Sequence, residues 1–414
     1  MLNIYNTLTR KVEPFKVQKD MTVKMYTCGP STYQPPHIGN YRTFLFEDVL
    51  QRYLEYLGYK VRRLITLTNI EDKAIAEAQK EGVSVDELTN RNEAAFFKAL
   101  EQLSIKRPDY SVRASTILDQ ALILTKTLLS KGTAYKYMHK GVQNVYFEPQ
   151  KFPGFGRLAH LDMNKWPKKK RRFHLDTYPG MPWNKGDFIL WRGCRSIETV
   201  CWDTELGRGR PAWNIQDAAM VTKHLGYTVD LACGGIDNLV RHHDYTMAIA
   251  EAASDEPFAK YWLHGGHLYV NGKKMSKSKG NVIYPEGLTA KNYNNEQIRF
   301  FLIYGAYRKK MNFTWQNLAR SSKKLSNIKN DIIELQKNNA GNSTPQAKTL
   351  AHNFKVYFQK NMDNDLDVKS AFDILHKTTA TLRVLSQKGK LGPDDAKAAI
   401  TDLRVVDRVL QVLF

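Results

Sequence analysis

Residues 24–57 read KMYTCGPSTYQPPHIGNYRTFLFEDVLQRYLEYL, and this stretch sets the architecture. KMYTCG is a short β run, Pro35-Pro36 punctuates a turn, and a helix is predicted from about Tyr41 to Leu57. The β-branched run VRRLITLTNI follows, then a long helical stretch from about Lys73 through Leu103. Strand and helix in alternation predict a parallel sheet covered by helices, an α/β fold. Such a sheet binds ligands beyond the carboxyl ends of its strands, so the loop after KMYTCG is a candidate site on topology alone.

Working outward, residues 1–131 form the first half of this α/β domain. Over residues 132–200 the texture changes: YKYMHKGVQNVYFEP alternates like a hairpin, and KFPGFGRLAH and TYPGMPWNKG are loop-rich, which predicts an insertion. It carries KWPKKKRR, with Lys165, Lys168, Lys169, Lys170, Arg171 and Arg172 close together. Such a run either grips phosphates or is a solvated loop, and the residues leave both open. The α/β pattern returns over residues 201–290, with helices predicted at Asp217 to Leu225 and His242 to Ala253. Residues 291–414 read as a helical bundle, with amphipathic segments near Asn317 to Gln336, Ala347 to Asn361, Val368 to Gln387 and Pro393 to Val412.

The 414 residues are 42% hydrophobic, enough to bury substantial cores and to exclude a small stapled scaffold. Sixty-two Lys and Arg against 41 Asp and Glu leave a formal charge of +21. That excess repels itself unless a polyanion screens it, which makes nucleic acid the first partner to suspect and an acidic membrane surface the rival. The four cysteines, Cys28, Cys194, Cys201 and Cys233, are too sparse for a disulfide framework and point to a reducing cytoplasm. No stretch approaches the roughly 18–20 uninterrupted apolar residues that span a bilayer, so no membrane partner is expected.

Two short signatures carry the chemistry. His37-Ile38-Gly39-Asn40 lies between a strand and a helix. An imidazole and an amide at a helix N-terminus both donate to phosphate, and Gly39 lets a purine or ribose approach the backbone. Lys274-Met275-Ser276-Lys277-Ser278 follows the turn Asn271-Gly272. Two lysines bracketing a serine suit the charge that develops on a leaving pyrophosphate.

In that order, HIGN and KMSKS resemble the HIGH and KMSKS signatures of the class I aminoacyl-tRNA synthetases. More closely the chain resembles the cysteinyl-tRNA synthetase family, on IYNTLTRK, YTCGPSTY, RYLEYLGYKV, LTNIEDKAI, DFILW, GRGRPAWNI, GKKMSKSKGN and NMDNDLDVKSAFDIL. The resemblance implies a Rossmann-type catalytic domain split by a connective insertion, followed by a C-terminal helical bundle that packs along tRNA. It implies two steps: ATP, with Mg2+, and cysteine give an aminoacyl-adenylate and pyrophosphate, and the 3′ end of tRNA then displaces AMP. His37 and Asn40 would hold the ATP phosphates beside Gly39, and Lys274 and Lys277 would stabilise the pentacoordinate transition state. Gly29, Thr68 and Trp213 would line the amino-acid pocket of a cytoplasmic monomer.

The resemblance also implies zinc beneath the amino acid, since a substrate thiolate joins a soft metal site as a serine hydroxyl does not. The family's ligand positions hold Cys28, Asp217, His242 and Thr246, so three ligands remain where the family has a fourth, Glu. Either the metal keeps three protein ligands and an open position, or the site has moved toward Cys233 in LACGG. His243 and Asp244 are expected as outer partners. The chain ends after the bundle, where many family members continue into an anticodon-reading domain. A related branch, the cysteine ligase of the mycothiol pathway, also ends there and also has Thr at the position of Thr246. Two other readings therefore stand beside cysteine–tRNA ligation: a cysteine ligase acting on a small amine, and a catalytically altered RNA-binding paralogue. The +21 charge favours tRNA over an amino sugar.

Overall fold

The computed structural model describes residues 1–17, 20–174, 185–275 and 280–414. Strand Thr22–Thr27 lies at the centre of a five-stranded sheet, parallel to Lys60–Leu67 on one side and to Val229–Gly235 on the other. Tyr110–Arg113 and Ala259–Gly265 form the edges, also parallel. The strand order reverses between Thr22–Thr27 and Val229–Gly235, and a doubly wound sheet opens its crevice at such a point. Val61, Leu64, Ile65 and Leu67 are all buried, the near-continuous apolar run of a strand covered on both faces. The predicted α/β architecture is thus present, with the antiparallel insertion and the C-terminal helices attached to it.

Helix Ile38–Tyr56 covers one face through Leu45, Val49 and Tyr53, and that core runs on without a break into the C-terminal helices at Phe358, Leu375 and Leu403. The other face packs against Trp213–His224, Asp244–Ser254 and the insertion. A buried arginine joins the first core to the bundle. Arg299, on helix Asn295–Ile303, donates Nη2 to Asp48 Oδ2 at 2.7 Å, Nη1 to the Leu103 carbonyl at 2.8 Å and Nε to the Leu410 carbonyl at 2.8 Å.

Several elements differ from expectation, each for a local reason. The first helix begins at Ile38 because His37 caps it. The long stretch after Lys73 is two helices, Asp72–Glu81 and Val85–Gln102. Gly82, at φ +70°, ends the first, and the Ser84 hydroxyl accepts from Glu87 N at 3.0 Å to start the second. The segment after Ala347 is likewise two helices, Pro345–Ala351 and Phe354–Met362. In the insertion, Ala134–His139, Val142–Phe147 and Phe188–Gly193 build one antiparallel sheet, whose fourth strand, Gly209–Pro211, lies beyond the boundary expected at residue 200. Cys194 and Cys201 are joined in a disulfide within the connection between its last two strands, so not all the cysteines stay reduced; Cys28 and Cys233 are free. Among the described residues no helix is long and apolar enough to cross a membrane.

One polar pair in the sheet's core makes a testable demand. Glu47, fully buried on Ile38–Tyr56, has no hydrogen bond to either carboxylate oxygen, and Arg63 on the adjoining strand satisfies only Nη1, through Gln51 at 3.2 Å. Burial pushes the Glu47 carboxyl up to about 8, against the pull of Arg63. Unfolded, it would lose its proton near pH ~4.3. The folded state therefore holds an extra proton between these values, and this contribution to stability is complete below about pH 4.3 and is lost as pH rises through about 8. Thermal melts of Glu47→Gln should fall less between pH 6 and 8.5 than those of wild type; parallel declines would contradict the assignment.

Candidate active site

Cys28 follows the central strand, Asp217 lies on Trp213–His224, and His242 lies on a single π-helical turn, Leu239–His243, where the main chain bulges. All three are buried, and one ligand atom from each lies within 4.8 Å of the others. Asp217 Oδ2 is the hub: it accepts from the Tyr26 hydroxyl and from Thr66 Oγ1 at 3.3 Å, and lies 2.9 Å from His242 Nε2. Burial works against the Asp217 charge, but the His242 imidazole and these hydrogen bonds hold its carboxyl below the usual range. Burial, with Asp217 beside it, pushes the Cys28 thiol well up. Asp217 Oδ1 and His242 Nδ1 have no hydrogen-bond partner. A thiol, a carboxylate and an imidazole converging in a buried place, two of them with an unused ligating atom, fit a zinc ion.

Thr246 is fully buried with an unpartnered Oγ1, on the helix Asp244–Ser254 that continues from the π turn. Cys233 does not join the group. Its side chain packs in the core on the helix Ile38–Tyr56 side, whereas Cys28 and Tyr26 face the opposite core. His243 supports the turn: its Nδ1 lies 2.8 Å from His264 Nε2, and His264 Nδ1 lies 2.9 Å from Thr7 Oγ1. Burial lowers both rings, that of His264 to about 3, so both are neutral. Asp244 instead receives Ala159 N of the insertion at 3.4 Å.

The other pole of the crevice is the N-terminus of Ile38–Tyr56. His37 Nδ1 accepts from Asn40 N at 3.3 Å, and Asn40 Oδ1 accepts from His37 N at 3.0 Å, a reciprocal capping box. This bond selects the tautomer, because a ring whose Nδ1 accepts carries its proton on Nε2. Asn40 likewise spends its carbonyl oxygen on the cap and keeps its NH2 as donor. A Cβ at Gly39 would lie 3.0 Å from the His37 ring, and one at Gly29 would lie 1.8 Å from the Thr66 carbonyl oxygen, so neither position admits a side chain without displacement. Lys274 ends a two-residue strand, Lys273–Lys274, paired with Leu268–Val270. Ser276, Lys277 and Ser278 lie outside the described residues.

A cavity of about 260 Å3 brings the two poles together. Of the residues singled out in the sequence, Cys28, Gly29, His37, Gly39, Asn40, Thr68, Trp213, His242 and Lys274 line it. Trp213 stacks on His242, with ring centroids 4.3 Å apart. Sequence reasoning missed Tyr26 and Thr66, which hold Asp217, and Asn238, whose amide donates to Cys28 Sγ at 3.4 Å. Tyr26 had a readable signal: two residues before Cys28 on a strand, it shares that residue's face.

Comparison with known proteins gives a consistent answer. The family described as "tRNA synthetases class I (C) catalytic domain" matches residues 14–323. The cysteine–tRNA ligase of Chlamydia pneumoniae is 34% identical over 416 residues, covering 100% of this chain and 86% of that protein. That of Protochlamydia amoebophila is 31% identical over 415 residues with the same coverage. Among solved structures, Mycobacterium tuberculosis methionyl-tRNA synthetase with methionyl-adenylate shares the fold at a TM-score of 0.65 and 15% identity, over 95% of this chain and 90% of that one. Because the family match takes in the whole parallel sheet and both sequence signatures, and the relatives align along all of the chain, it belongs to the class I aminoacyl-tRNA synthetases and, within them, to the cysteinyl-tRNA synthetase family.

Proposed function

We propose that the protein is a cysteine–tRNA ligase in which Cys28, Asp217 and His242 hold a zinc ion facing the substrate thiol. The observation that carries this reading is that a metal-suited group and a phosphate-suited helix N-terminus open onto one cavity. When bound, the metal supplies a soft contact for a thiolate that a serine hydroxyl matches poorly. In the first step an oxygen of the cysteine carboxylate attacks the α-phosphorus of ATP and the bond to pyrophosphate breaks. His37 Nε2–H and the Asn40 amide donate to the phosphates at the positive end of the helix, and Lys274, with Lys277, offsets the charge of the departing pyrophosphate. Gly29, Thr68 and Trp213 wall the amino acid, and the Trp213 ring keeps His242 in place. In the second step a ribose hydroxyl at the tRNA 3′ end attacks the acyl carbon and AMP leaves. No covalent bond to the protein is needed, so catalysis is orientation and charge stabilisation.

The charge distribution supports tRNA as acceptor rather than a small amine. Of the basic residues near the bundle, Arg308, Lys324 and Lys329 are ion-paired with Asp365, Asp373 and Glu296. Among the described residues Lys309, Lys310, Arg320 and Lys323 form no ion pair. Lys309, Lys310 and Arg320 line a cleft of about 580 Å3 that has no carboxylate in its walls. Binding of bulk tRNA should therefore weaken steeply with salt, with a log–log slope of about −0.7 to −0.9 per phosphate neutralised. The direct test is transfer of labelled cysteine to tRNA: a charged product supports the reading, and cysteinyl-adenylate that charges no tRNA contradicts it.

A further inference from the structure

Arg42 stands one turn beyond the cap of helix Ile38–Tyr56, and its guanidinium reaches two separate stretches of main chain, at Gly266 and over residues 306–309. Nη1 donates to the Gly266 carbonyl, while Nη2 lies 3.2 Å from the carbonyl oxygens of Ala306 and Tyr307 and 2.7 Å from that of Lys309. These bonds cross more than 220 residues of sequence, the nearest partner being separated by 224 positions. The side chain is 5% exposed. Burial lowers it to about 10, so it remains a cation in neutral solution.

What the four carbonyls belong to gives the residue its meaning. Gly266 lies between the parallel strand Ala259–Gly265 and the strand Leu268–Val270, and Gly265, Gly266, His267 and Leu268 form one wall of the active-site cavity. Leu268–Val270 pairs with Lys273–Lys274, which presents Lys274, and also runs parallel to Met311–Phe313, just after Lys309. The neighbourhood is tight: Gly266 N donates to the Tyr307 carbonyl at 2.8 Å, and a Cβ at Gly266 would lie 2.5 Å from the Arg308 carbonyl oxygen. Four carbonyl dipoles thus converge in a buried place and repel one another unless a donor fork fills it. An ammonium has one head where guanidinium has a planar fork, so lysine cannot reproduce these bonds.

We propose that Arg42 is a positioning residue for ATP: it fixes the spacing between the helix that carries His37 and Asn40 and the strand pair that carries Lys274, and so sets the width of the phosphate site. It touches neither substrate. This rests on the assignment of the cavity to ATP and cysteine made above, but adds a dependence that assignment does not require. Widening that gap affects ATP, which both sides grip, and spares cysteine, which binds at the Cys28 pole.

The test uses the full-length protein with Arg42→Met and Arg42→Lys. ATP binding is read by calorimetry without amino acid, and exchange kinetics are normalised to titrated active sites. The expected result is a rise of about tenfold to a hundredfold in the Kd and KM for ATP in both variants, the scale of an ångström misplacement. The KM for cysteine should stay within about twofold, since the Cys28 pole is untouched. Millimolar guanidinium should recover part of the ATP affinity of Arg42→Met and none of that of Arg42→Lys. Unchanged ATP affinity, equal rises for both substrates, or a loss confined to the active-site fraction would each overturn the proposal. If wild type binds ATP and the variants bind it weakly, while no amino acid supports exchange, this inference stands and the cysteine reading fails.

Discussion

Replacing Cys28 with alanine is expected to strip the protein of zinc and, with it, of cysteine activation. Cys28 contributes the one soft donor of a three-residue group, and the remaining Asp217 and His242 already bond to each other at 2.9 Å. Loss of a mere outer partner of a metal ligand costs about 10- to 100-fold in affinity or activity. Loss of a ligand from a site with only three should exceed that, so wild type should carry about one zinc per chain and Cys28→Ala close to none. The Kd for ATP should hardly move, because the proposed phosphate pole is built from other elements. The sign of the pH dependence follows from the environment of the thiol. Burial pushes Cys28 well up, so metal binding must expel its proton, and zinc affinity should increase with pH. Metal content that is absent in wild type, or equal in the two proteins, would remove zinc from the account.

The second large effect is expected at His37. Its Nδ1 caps the helix, which leaves Nε2–H as the donor proposed to meet the phosphates. Asparagine is among the best N-caps, whereas alanine costs about 1 kcal/mol of helix stability. His37→Asn should therefore melt like wild type, and His37→Ala somewhat below it. Both should lose about 100- to 1,000-fold in pyrophosphate exchange, the cost of one donor to developing charge. Exchange by His37→Asn at the wild-type rate would show that the ring matters for the cap alone.

The sheet and its site were legible because their signals are local. A strand, a proline turn and a capped helix in KMYTCGPSTYQPPHIGN give both the parallel topology and the helix N-terminus that opens onto the cavity. In HIGN the structure shows the cap, and the bonds that form it use His37 Nδ1 and Asn40 Oδ1, which leaves Nε2–H and the amide NH2 as the donors for the proposed phosphate contact. What stayed hidden depends on which face of a strand a residue takes, or on partners far away in sequence. Cys233 reads as a plausible ligand until strand pleating turns it to the side opposite Cys28. Tyr26 and Thr66 become visible only when Asp217, far along the chain, folds against them. Arg42 looks like one more helical cation until its carbonyl partners at Gly266 and residues 306–309 are seen. The break at Gly82 was readable from glycine followed by the Ser84–Glu87 capping signature, which the strong flanking periodicity masked.

The central claim is that one crevice selects a thiol-bearing amino acid at the Cys28 pole and joins it to ATP at the His37 pole. It is tested most directly by ATP–pyrophosphate exchange measured with each of the twenty amino acids in turn. The expected result is exchange that depends on cysteine, with serine at background. Exchange driven equally by serine, or by another amino acid in place of cysteine, would contradict it.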